Sequence, residues 1–88
     1  MSWDYSFTDE ALKNLRKLGA DGKRRIVNYL DSNITGCGDP RQFGKDLKGG
    51  LGNLWRFRTG HYRIICEIQD GTLVVPLVRV GHRRTVYD

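Results

Sequence analysis

Between residues 3 and 18 the apolar spacing changes period once, and that change restricts the fold more tightly than any other feature. Trp3, Tyr5 and Phe7 alternate with Ser2, Asp4 and Ser6, the pattern of a half-buried strand. From Thr8 the spacing becomes helical, with Ala11, Leu12, Leu15 and Leu18 on one stripe. Thr8 suits the N-cap, Asp9 and Glu10 suit the first turn, and Gly19 suits a stop. A second helix is expected from about Asp21 to Ser32, with Ile26, Val27, Tyr29 and Leu30 inward and Lys23, Arg24 and Arg25 outward. A strand followed by a helical hairpin therefore opens the chain.

The stretch NITGCGDPRQFGKDLKGGLGN then loses any sustained period and reads as a long surface connection. Three strands follow, LWRFR, YRIICEIQ and TLVVPLVRV, with turns at TGH and DG. Asp70-Gly71 between two apolar runs is a two-residue hairpin signal. Pro76 lacks a ladder donor, so it marks a bulge or a position whose nitrogen faces away from a partner strand. The expected class is α+β: one strand, a helical hairpin, then a mainly antiparallel sheet. With 88 residues, a single domain over 1–88 is expected, its core feasible but shallow. No apolar stretch approaches the roughly 18 residues of a membrane span and no signal-peptide layout opens the chain, so a cytoplasmic protein without membrane contact is expected. Cys37 and Cys66 have no CxxC spacing or histidine cluster around them, and neither a metal nor a cofactor is implied.

Charge is unevenly placed. The chain carries 15 Lys and Arg against 10 Asp and Glu. All five lysines precede residue 54, whereas every basic residue from 54 onward is arginine: Arg56, Arg58, Arg63, Arg79, Arg83 and Arg84. Guanidinium groups match phosphate oxygens bidentately, so an all-arginine strand region points to phosphate. Strand alternation sends Trp55, Phe57, Ile64 and Cys66 one way and Arg56, Arg58 and Arg63 the other. If the first set lies under the helices, the second forms an open basic face, to which the chain leaving Gly81 adds His82, Arg83 and Tyr87. For Arg79 or Arg84 alone, a solvated surface charge is the simpler reading. Trp3 and Trp55 are assigned to the core, and His61 to a turn.

The order DLKGGLGNLWRFR, GHYRIICEI and VVPLVRVGHRRTVY resembles the RelE/ParE superfamily of toxin–antitoxin toxins across essentially the whole chain, with the RelE branch nearest through L-K-G, W-R-F-R, Y-R-I-I and V-G-H-R-R-x-V-Y. The resemblance implies a fold like the microbial ribonucleases and an mRNA interferase that cuts translated mRNA in the ribosomal A site. It places Arg56, Arg63, Arg83 and Tyr87 among catalytic groups, with His82 a further acid/base candidate, and Lys48, Arg58 and Arg84 on RNA. It also implies a RelB-like antitoxin, with operator DNA met only through that antitoxin. Metal-free cleavage would use the RNA's own 2′-OH as nucleophile, with cations stabilising the phosphorane. The alternatives are a ParE-like gyrase inhibitor and a non-catalytic basic module binding RNA or a protein.

Overall fold

The computed structural model describes residues 2–47 and 54–82. In chain order they form β1 (Asp4–Phe7), α1 (Asp9–Asn33), a 3-10 turn (Pro40–Phe43), β2 (Lys45–Asp46), β3 (Leu54–Thr59), β4 (Tyr62–Glu67) and β5 (Val74–His82). The five strands make one sheet in the order β1-β5-β4-β3-β2. Every neighbouring pair is antiparallel except β1 with β5, which is parallel.

The helical hairpin is present as one continuous helical span broken at Gly19, whose φ of 81° and ψ of 179° are not helical. A straight 25-residue helix would be about 37 Å long. The longest extent of the molecule is 32 Å, and the far end of α1 returns to β1, where Tyr5 Oη donates to Asp31 Oδ1 at 2.6 Å and Gly36 N donates to Trp3 O at 2.8 Å. The chain therefore doubles back at a single glycine, because the left-handed region that reverses it is open to glycine at little cost. Thr8 caps the start as expected, its Oγ1 accepting from Ala11 N at 3.2 Å and donating to Leu77 O at 2.8 Å.

The core lies between α1 and one face of the sheet: Ala11, Leu15, Ile26 and Leu30 from the helix meet Phe57, Ile64, Cys66, Val75, Leu77 and Val80. Trp3 is buried within it, while Trp55 is half-buried at its margin and Leu12, expected on the inner stripe, is exposed. Cys37 and Cys66 are both free thiols, and burial pushes Cys66 up to about 12.

Pro76 acts differently from either expectation. Cys66 pairs with Leu77 and Gln69 bridges Val74, so the same register sets Pro76 opposite Glu67, with its nitrogen toward β4. The ladder is interrupted at that rung because proline has no N–H to give. The bulge lies one rung on: Ile65 pairs with Arg79 and Cys66 with Leu77, leaving Val78 as the extra residue on β5. A one-residue slip exchanges the faces of a strand. Val75 and Leu77 before the bulge, and Val80 after it, consequently all point to the core, and Arg79 is kept out of it.

The β4–β5 connection is a four-residue turn closed by reciprocal Gln69 and Val74 backbone bonds, not the two-residue hairpin expected at Asp70-Gly71. Leu73 ends it with a φ of 55°, packing against the core while its carbonyl accepts from Asp4 N at 3.1 Å. Tying the turn to β1 and to the core outweighs the cost of a left-handed leucine.

Candidate functional site

Three of the predicted residues meet as expected. In the β3–β4 ladder Arg58 stands directly opposite Arg63 and Arg56 opposite Ile65, so Arg56, Arg58 and Arg63 share the face away from α1. This face is closed at its centre, where an open one was expected. Arg63 is 8% exposed, and Ile65 and Gly81 beside it are buried as well. Arg58 is exposed and Arg56 half-buried, so the accessible part of the face lies toward β2.

His82 does not join them. Tyr62 pairs with His82 and Ile64 with Val80, which sets His82 on the helix side of the sheet. Its ring stacks on His61 at 5.9 Å between centroids and meets the Tyr62 ring edge-on at 6.0 Å. The Val78 bulge is the cause: it turns Val80 inward, and His82, two residues on, follows the same parity. His61 itself is exposed in the turn, as expected. Arg79 does lie on the arginine face, and its Nη2 donates to Glu10 Oε2 at 3.0 Å, which gives it a partner on α1. Lys48, Arg83, Arg84 and Tyr87 lie outside the described residues.

Sequence reasoning missed Lys45. Inside the segment taken for a plain loop, Lys45 and Asp46 form β2, and Lys45 pairs directly with Arg56. Two ladders of the basic face thus each set cations opposite each other, Lys45 with Arg56 across β2–β3 and Arg58 with Arg63 across β3–β4. Directly opposed like charges destabilise a ladder, by about 0.2–1 kcal/mol in the range known for cross-strand pairs. Among the described residues neither Lys45 nor Arg58 has an ion pair to offset this. An arrangement of this kind is stabilised by an anion with several oxygens, and phosphate fits the guanidinium forks. A two-residue strand carries too few residues for a period to show; the one local signal is Gly44. A Cβ there would meet Phe57 Cδ1 at 2.7 Å and Arg56 O at 2.8 Å, so only glycine lets the segment descend onto β3.

The segment is held from its other side by Arg41, half-exposed, whose Nη2 and Nη1 donate to Asp70 Oδ2 and Oδ1 at 2.6 and 3.0 Å. The same guanidinium lies 5.9 Å from the Trp55 ring centroid. Among the described residues no cluster of His, Cys, Asp or Glu could hold a metal ion, and no helix is long and apolar enough to cross a membrane.

Comparison with known proteins finds relatives of the whole chain. The family described as the ParE toxin of the type II toxin–antitoxin system parDE matches residues 5–87. Toxin RelG of Mycobacterium tuberculosis is 29% identical over 87 residues, covering 99% of this chain and 98% of that protein. Toxin RelE3 of Methanocaldococcus jannaschii is 30% identical over 84 residues, covering 93% and 92%. Among solved structures, a chain of the RelBE2 toxin–antitoxin complex from M. tuberculosis superposes with a TM-score of 0.83 at 28% identity, covering 94% of this chain and all of that one.

Proposed function

Since the chain belongs to the RelE/ParE superfamily of type II toxin–antitoxin toxins, we propose that it is a metal-independent endoribonuclease of the RelE kind, cutting translated mRNA in the ribosomal A site. The observation that carries this reading is the pair of opposed cation rungs, Lys45 with Arg56 and Arg58 with Arg63, on the side of the sheet away from the helices. Against a ParE-like gyrase inhibitor stand Arg63, Arg83 and Tyr87, a set of residue types suited to an enzyme acting on the RNA backbone.

In the proposed reaction the 2′-oxygen of the substrate attacks the adjacent phosphorus, its proton passing to a base. The bond to the 5′-oxygen breaks and that oxygen takes up a proton, leaving a 2′,3′-cyclic phosphate and a 5′-OH. Arg63, assisted by Arg56, stabilises the charge on the phosphorane. Arg63 is well suited to this because its burial fixes the guanidinium and strengthens its field at the phosphate. Arg83 acts near the leaving oxygen, and Lys48, Arg58 and Arg84 hold the RNA backbone. Tyr87 is assigned as the base in preference to His82, whose strand position faces the helix side. A phenol of ordinary pKa about 10 needs neighbouring cations to lower it before it can take a proton near neutrality. The ribosome orients the mRNA, so much of the rate comes from positioning. A RelB-like antitoxin is the proposed partner, on the likeness to a toxin solved in a toxin–antitoxin complex.

Primer extension on mRNA in a purified translation system tests this reading. Codon-phased cuts that require ribosomes are expected. Intact mRNA together with inhibited DNA supercoiling by gyrase would replace it with the ParE reading, which the description of the matching family favours.

A further inference from the structure

Two large hydrophobic side chains are exposed among the described residues, Leu12 and Phe43. Leu12 stands alone on α1. Phe43 lines a cleft of about 270 Å³ together with Gln42, Gly44, Lys45, Arg56 and Arg58. Such a volume is below the roughly 300–1,000 Å³ of ordinary small-molecule pockets, so it suits one unit of a polymer whose remainder lies elsewhere on the surface. An exposed aromatic ring with cations beside it is the combination that holds unpaired nucleotides, the base on the ring and the backbone on the charges.

The ring is exposed, yet the backbone that carries it is tied to its neighbours. Tyr29 Oη donates to Phe43 O at 3.4 Å, and Gly44 N donates to Arg41 O at 3.3 Å. Arg41 is clamped to Asp70, and Gly44 rests against the Phe57 ring and the Arg56 carbonyl. A phenylalanine on a backbone held in this way spares the cost of ordering that backbone when a base stacks on the ring. Gln42 adds an amide donor and acceptor at the rim of the same cleft.

We propose that Phe43, Lys45 and Arg58 form a nucleotide subsite beside the Arg63 centre, stacking one unpaired RNA base on Phe43 and holding its phosphate on the two cations. This rests on the mRNA-cleavage reading and extends it, adding a contact that selects for single-stranded RNA one or more nucleotides from the cut.

The test is titration of the full 88-residue, isotope-labelled chain with a 2′-O-methyl tetranucleotide, which cannot be cut, followed by amide chemical shifts. Shifts at Gln42, Gly44, Lys45 and Arg58 are expected. Phe43→Ala should bind about tenfold more weakly, within the range for loss of one stacked base, and Phe43→Trp should restore binding. Lys45→Gln should lower the salt slope by about one charge. Shifts absent from 42–45, or Phe43→Ala binding as tightly as the parent, would overturn the subsite, and so would no binding at millimolar oligonucleotide. Cleavage on ribosomes, run in parallel, separates the two claims. Binding at Phe43 without any cleavage sinks the enzyme and keeps the subsite, while cleavage unaffected by Phe43→Ala does the reverse.

Discussion

On the helix side of the sheet Phe57, Ile64, Cys66 and Leu77 are fully buried, whereas their chain neighbours Arg56, Arg58, Arg63 and Ile65 point the other way and three of those four are cations. Both sets ride on the same backbone, so register alone separates them. The helix side lowers the free energy of folding through apolar burial. The basic side sets like charges opposite each other, Lys45 with Arg56 and Arg58 with Arg63. A cationic face held rigid by its apolar reverse side is what a preorganised anion site requires.

The widest separation of the two faces should come from deleting the largest fully buried side chain. Phe57→Ala is expected to lower unfolding free energy by about 3–5 kcal/mol in urea titrations. A loss under about 1 kcal/mol would mean that the helix side is not the stabilising one. The next largest effect should be alkaline. Burial raises Cys66 to about 12, and burial together with the bond to Asp31 raises the Tyr5 phenol to about 12. Both native groups hold their protons better than the unfolded chain, so stability is complete below the ordinary thiol and phenol values and is lost as pH rises through them toward 12. Urea midpoints at pH 8 and pH 10.5 should show the fall, and Cys66→Ala should flatten it; a midpoint independent of pH would contradict the burial argument.

A smaller effect of opposite sign is expected from the basic side. Arg58→Gln removes one member of an opposed pair and should raise stability by about 0.2–1 kcal/mol at low salt while weakening RNA binding. The gain should vanish when inorganic phosphate is added, and a loss of stability would show that the rung is not repulsive. The smallest effect concerns the clamp that holds the β2 segment. The hydrogen bond from Arg41 holds the Asp70 carboxyl below its ordinary value. Its contribution is present above the unfolded pKa of about 3.9 and lost as pH falls through the folded one. Asp70→Asn should therefore lower the melting temperature slightly at pH 7 and leave it unchanged in acid, where the native carboxyl is already protonated; equal melting of the two proteins at pH 7 would contradict the clamp.

Most of this division was legible in the sequence because alternation is a local property. Trp55, Phe57, Ile64 and Cys66 fall on one parity and Arg56, Arg58 and Arg63 on the other, whatever the rest of the chain does. The strand-to-helix switch at Thr8 and the reversal at Gly19 are equally local, each set by one residue's chemistry. What escaped depends on distant partners. Pro76 signalled a bulge in β5 but not its place, which is Val78, where β5 must satisfy β1 and β4 at once, and it is this bulge that carries His82 to the helix side. Lys45 became part of the site only through pairing with Arg56, and Arg41 found its partner 29 residues away in Asp70.

The central claim is that the basic face does the chemistry and the helix side only supports it. Single-turnover cleavage of mRNA on programmed ribosomes by Arg63→Gln, with circular dichroism on the same sample, tests it most directly. The account predicts a rate lower by about 10²–10³, the usual loss when one preorganised donor to a developing negative charge is removed, with the fold retained. A folded Arg63→Gln protein that cuts within a few-fold of the parent rate would contradict it.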